Sequence, residues 1–114
     1  LYNETSFTTL RVNNNLTINS GASLTANAKP IEVAGNWTNN GSFVHGNNRV
    51  TFFGTGSNAI TIGGSSVTPF YDLYITKTGG SITLGRNINV DREIDVATTS
   101  NVGIQPGAYE ISLP

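Results

Sequence analysis

The sequence predicts an all-β chain, a parallel β-helix (β-solenoid) of about five short coils. Apolar–polar–apolar triplets recur at Leu16-Thr17-Ile18, Ile31-Glu32-Val33, Val50-Thr51-Phe52, Ile60-Thr61-Ile62, Ile82-Thr83-Leu84 and Ile94-Asp95-Val96. A period of two turns the outer members of each triplet inward and the middle one to solvent. Gly, Asn or Ser follows most triplets within a few residues, so each strand ends early. Helical periodicity is nearly absent, because Gly breaks every window and the β-formers Thr, Val, Ile, Phe and Tyr hold the apolar positions. With strands about every eight residues, three strands and three turns make a coil of about 18–24 residues.

Taken in order, the elements support coils. The N-terminal LYNETSFTTLRV is strand-like, and Phe7–Val12 matches Phe70–Ile75. LTI at 16–18, Leu24 and IEV at 31–33 align without gaps on IDV, Val102 and YEI of 94–111. The two offsets, 78 and 63, give the second copy about 15 extra residues, roughly Thr76–Val90, as one or two inserted strands. A solenoid accepts an inserted strand, whereas a sandwich, with a fixed partner for each strand, is scrambled by one. GNWTNNGSFVHGNNRVTFFGTG at 35–56 holds five Gly and five Asn, with Trp37, Phe43, Phe52 and Phe53 threaded through them. It reads as rather more than one coil. Gly and Asn turn the corners, where positive φ is tolerated and Asn side chains ladder, while Trp37, Phe43 and Phe52 fill the column. Phe53 follows an inward Phe52 and Tyr71 follows an inward Phe70, so both point outward or sit at corners. The alternative is an antiparallel β-sandwich, whose best hairpin signal is Asn40-Gly41.

A chain of 114 residues is one domain, 1–114. Six Lys+Arg against seven Asp+Glu, a net charge of −1, provide no basic patch for nucleic acid. No apolar run approaches the roughly 18 residues of a membrane span. Without Cys there is no disulfide or thiolate site, and without Met the chain is expected to be a mature product or an excised piece. Charged residues are 11 % of the chain, whereas Asn, Thr, Gly and Ser supply 53 of the 114 residues. That neutral polarity suits an extracellular or cell-surface protein.

Few residues carry candidate chemistry. Asp91, Glu93 and Asp95 are expected to share one strand face, about 6.6–7 Å apart. That arrangement suits a solvated face, a Ca²⁺ site or an acid pair. His45, the one His, has no Cys and no nearby Asp or Glu in sequence and is expected to be a turn residue. Sequons occur at Asn3, Asn15, Asn36 and Asn40, about as often as this composition produces by chance. Outward Thr17, Thr51, Thr61 and Thr83 could form a flat, ice-binding-like array, which Glu32 and Asp95 are expected to interrupt. No catalytic, metal or cofactor site is expected, and the chain is not expected to be an enzyme.

The run G-N-W-T-N-N-G-S-F at 35–43, V-T-F-F-G-T-G at 50–56, A-I-T-I at 59–62 and F-Y-D-L-Y-I-T-K-T-G-G at 70–80 resembles the tandem Gly/Asn/Thr-rich repeats of large secreted, adhesin-like bacterial cell-surface proteins. The resemblance implies a right-handed parallel β-helix, an extracellular location and a structural or adhesive role. It departs at Asn58, where those repeats often carry Gln, and in holding barely more than one repeat.

Solenoid ends are open strand edges. The expected role is a structural subunit or repeat module of an extracellular surface filament, self-assembling head to tail by strand stacking or strand donation. Residues 1–12 are the candidate exchanged or interface strand. Interface candidates are Phe53, Tyr71, Leu1, Tyr2, Ile111 and Leu113. The partner is a further copy of the chain. The alternative is a carbohydrate-binding module that offers exposed aromatics to surface glycans.

Overall fold

The computed structural model describes residues 9–114. All strand pairs among them are parallel. The chain is a right-handed parallel β-solenoid of about five short coils, not a sandwich.

The first coil contains β1 (Leu10–Val12), β2 (Leu16–Ile18) and β3 (Ser23–Thr25), and the second β4 (Ile31–Val33), β5 (Trp37–Asn39) and β6 (Ser42–Val44). The third runs through β7 (Arg49–Phe52) and β8 (Ile60–Gly63) into the start of β9 (Thr68–Ile75). The rest of β9, β10 (Ile82–Leu84) and the start of β11 (Ile88–Val96) form the fourth. The fifth takes the rest of β11, β12 (Ile104–Gln105) and β13 (Ile111–Ser112). A first face stacks β1, β4, β7 and the later halves of β9 and β11. A second stacks β2, β5, β8, β10 and β12. The third holds the β3–β6 pair and, further on, the early halves of β9 and β11 with β13.

Strand register sets the coil length. Leu10, Ile31, Val50, Leu73 and Ile94 lie side by side, so the coils repeat after 21, 19, 23 and 21 residues. A second inward column runs Val12, Val33, Phe52, Ile75, Val96. On the second face Leu16, Trp37, Ile62 and Leu84 stack, beside Ile60, Ile82 and Ile104. Each column member that is fully buried, such as Ile31, Val33, Val50, Phe52 or Leu73, stabilises the fold by about 1.5–3 kcal/mol.

The match of Phe7–Val12 to Phe70–Ile75 is a true coil repeat where it is described, because Leu10 and Leu73 share a column. The match of 16–33 to 94–111 is not. It sets the second-face strand β2 against the first-face end of β11, and first-face β4 against third-face β13. The first and second faces both use the apolar–polar–apolar triplet, and so does the third-face start of β11 (Ile88-Asn89-Val90), so likeness of triplets does not identify a face. The supposed insertion at 76–90 contains β10 and the start of β11, ordinary parts of the winding.

The corners are built mainly by Asn side chains. The Oδ1 of Asn15 accepts from the N–H of Asn36 (2.8 Å), and that of Asn36 from the N–H of Thr61 (2.9 Å). Asn40 and Asn87 accept in the same way from Ser65 (2.9 Å) and Glu110 (3.0 Å). Each bond joins one coil to the next and satisfies a backbone donor that a turn would leave free. Positive φ matters more locally. Asn47 has φ 59°, and Gly64, at φ 112°, lies so close to the backbone of Asn39 that a Cβ would meet its carbonyl oxygen at 2.2 Å.

The middle of the core is aromatic. Trp37 meets Phe43 edge-on at 4.9 Å and Phe70 at 5.1 Å between ring centroids, with Phe52 at 6.3 Å. Its indole N–H donates to the Thr68 hydroxyl (3.0 Å), which also accepts from the fully buried Asn39 carboxamide (3.1 Å).

Whereas the β6–β7 corner uses Gly46 at φ 56°, in the later coils the chain passes from the third face to the first without Gly, inside β9 and β11. β9 crosses that corner at Tyr71-Asp72, since Phe70 and Leu73 are both buried and inward. β11 crosses it with one residue more, a register shift between Val90 and Glu93. Buried Asp72 is held there by both Arg92 donors, Nε and Nη2, each at 2.6 Å.

Candidate functional site: the outer faces and the open ends

The outward residues of the first face form a column in register, Arg11, Glu32, Thr51, Tyr74, Asp95. Phe53 turns out of the sheet one residue beyond inward Phe52 and is half-buried. The Arg11 guanidinium lies 4.2 Å from the Phe53 ring centroid, and that of Arg49 lies 4.5 Å from the Tyr74 ring. Arg11 also reaches Glu32 (3.4 Å). These side chains border a groove of about 470 Å³ with Thr51 on its lining. Each stack contributes about 0.5–1 kcal/mol and holds a guanidinium against the ring. The aromatic faces are thereby occupied by cations, so the groove offers hydrogen-bond donors more readily than bare rings.

Tyr71 lies outside this groove, packed against His45 (5.2 Å between rings) and with Arg92 5.4 Å from its ring. His45 Nδ1 accepts from the N–H of Asn47 (2.9 Å), which leaves Nε2 to donate to Asp91 (2.8 Å). The sequence places His45 in a turn, and it is in one. What the sequence does not offer is Asp91, 46 positions away, brought alongside by the coil winding.

The three carboxylates do not converge as the alternation suggests. The extra residue at 91–92 breaks the alternation, so Asp91 faces His45, Glu93 pairs with Arg92 (3.1 Å) and Asp95 lies beside Tyr74. No group of three or more His, Cys, Asp or Glu side chains suited to a metal ion occurs among the described residues. Asp72, which the sequence reading passed over, carries the clearest electrostatic perturbation. The Arg92 hydrogen bonds hold its carboxyl below the usual carboxylate range, burial opposes this, and the charges of Arg92 and Arg49 reinforce it. Arg92 is raised in turn, first by its bond to Asp72.

The Thr array also divides. Thr17, Thr61 and Thr83 lie on the second face, with Thr38 beside Thr17 and the Thr61 and Thr83 hydroxyls 3.2 Å apart. Thr51, Glu32 and Asp95 belong to the first face, so the acids do not interrupt the second-face threonines as expected. Among the sequons, the Asn15, Asn36 and Asn40 oxygens are engaged between coils.

Of the end residues, Leu1, Tyr2 and Asn3 lie outside the described residues, as does most of the candidate strand 1–12. Ile111 pairs with Ile88 and packs against the core. Leu113 is 59 % exposed, and Leu10 and Val96, the end members of inward columns, are 42 % and 45 % exposed.

Comparison with protein-family models, with curated proteins and with solved structures finds no match for this chain. The solenoid is shown by its own geometry, and no homologue ties it to the bacterial surface repeats whose wording it resembles.

Proposed function

We propose that the chain is a structural repeat module of an extracellular surface polymer, extended by setting one solenoid end on another. The observation that carries this reading is the agreement between the two ends of the first face. Its outward column begins with Arg11 and finishes with Asp95, and its inward columns begin with Leu10 and Val12 and finish with Ile94 and Val96. Continuing the same register, β1 of a second copy beside β11 places Leu10 next to Ile94, Val12 next to Val96 and Arg11 next to Asp95. Backbone groups on both edges gain partners, apolar columns continue, and the outward charges are opposite. Such a contact is heterologous and does not close. The exposed ion pair supplies at most about 1 kcal/mol, so its role is to fix register rather than affinity. The described residues measure only 40 × 29 × 25 Å, so an elongated object requires further coils. The extracellular setting rests on the neutral polar composition and on the resemblance.

Sedimentation velocity and negative-stain microscopy of the purified chain test this directly. Concentration-dependent filaments or oligomers are expected, shortened by Asp95→Arg and restored when Arg11→Asp is added to it. A wild-type chain that stays monomeric at millimolar concentration would sink the proposal.

The groove between Arg11 and Tyr74 favours a second reading, a carbohydrate-binding module that uses guanidinium donors beside aromatic edges. A glycan array separates the two. Binding lost in Phe53→Ala and Arg49→Ala, with oligomerisation intact, supports it.

A further inference from the structure

Lys77 is the buried cation among the described residues. It is 3 % exposed, yet the one hydrogen bond of its ammonium among the described residues is a long contact of 3.4 Å to the Gly56 carbonyl. An ammonium has three donors, and a buried charge without a counter-ion is costly. The ion pairs among the described residues are formed by Arg11, His45 and Arg92, and none of them involves Lys77.

Lys77 lines a cleft of about 360 Å³ along the corner between the first and second faces, together with Asn15, Asn36, Asn58, Gly54 and Gly56. No acidic residue lines it. Two of the carboxamides have a fixed sense. Asn15 and Asn36 each give their oxygen to a backbone N–H of the next coil, so their NH₂ groups are the ends left for the cleft. A buried ammonium and two oriented amide donors, with no negative charge among them, form a donor set matched to an oxyanion.

We propose that this cleft is a binding site for a carboxylate, such as that of an acidic sugar or a small organic acid, with Lys77 as its counter-ion and Asn15 and Asn36 as flanking donors. Its lining shares no residue with the first-face groove of Phe53 and Tyr74, and it does not depend on end-to-end stacking.

The test is a titration of the ¹⁵N-labelled full chain with sodium acetate, followed by the side-chain signals of Asn15 and Asn36 and the backbone signals of 54–58. Inorganic phosphate and sodium chloride, matched for ionic strength, serve as comparison arms. Saturable shifts confined to these signals, at lower concentration for acetate than for chloride, are expected. Lys77→Met should weaken acetate binding at least tenfold, while Arg49→Gln, in the other groove, leaves it unchanged. Unsaturable or dispersed shifts in the wild type overturn the proposal, as does tighter binding of phosphate or chloride than of acetate. Wild-type affinity in Lys77→Met also overturns it and leaves Lys77 as a tether for the 54–59 loop. The wild-type titration decides the matter even where Lys77→Met does not fold.

Discussion

In the middle of the solenoid Val33, Val50 and Phe52 have a coil on either side and are closed off from water, whereas Leu10 and Val96, members of the same two columns, have a coil on one side among the described residues and are partly exposed. The chemistry of the side chains is alike in both places. The difference lies in the number of neighbouring coils, and it divides the molecule into a part that holds the fold and a part available to a partner. The middle adds an aromatic cluster closed around the shared hydroxyl of Thr68.

The strongest way to break this contrast is to empty the middle. Trp37→Ala removes the ring that touches Phe43, Phe52 and Phe70 and leaves a cavity between coils. A loss of about 3–5 kcal/mol is expected by urea unfolding, and a loss below 1 kcal/mol would mean that the coils hold without the cluster. Thr68→Val comes next. It preserves shape but removes the acceptor shared by Trp37 and Asn39, leaving two buried donors unpaired, for about 2 kcal/mol or more.

These two residues also mark how much the sequence disclosed. The triplets give strands, inward positions and coil length, because period two and early turns are local properties. Trp37, Phe43 and Phe52 are legible as core for the same reason. Asn39 and Thr68 are not, since an Asn before Asn-Gly reads as a corner, and its burial depends on a hydroxyl 29 positions away. Face assignment fails likewise. Repeated triplets made 16–33 look equivalent to 94–111, whereas the winding places them on different faces. The site follows the same rule. Phe53 is legible as an outward aromatic, but the Arg11 stack over it needs the register of two coils, and the burial of Lys77 depends on the packing of the 54–59 loop.

A smaller effect is expected at the glycine-free corner, where β9 passes from the third face to the first. The Arg92 bonds depress the folded-state pKa of Asp72 below its ordinary 3.8. The stability this contributes is present above the unfolded value and is lost as pH falls from about 4 through the folded value. Asp72→Asn should therefore lower the melting temperature at neutral pH and flatten its fall below pH 4. An acid limb identical to that of the wild type would show that the pair contributes nothing across that corner.

The smallest effect on stability is expected at the ends, and it sharpens the comparison most. Val96→Ser alters a residue that already meets water, so the monomer should change by no more than about 0.5 kcal/mol. In a stacked pair the same residue lies beside Val12 of the next copy, where a hydroxyl interrupts an apolar column and lacks a partner. Assembly should weaken several-fold in sedimentation velocity while urea unfolding of the monomer hardly moves. If unfolding shifts as much as it does for the middle of the stack, Val96 belongs to the core of the single chain. If neither measurement moves, the last coil is not the surface on which the next copy sits.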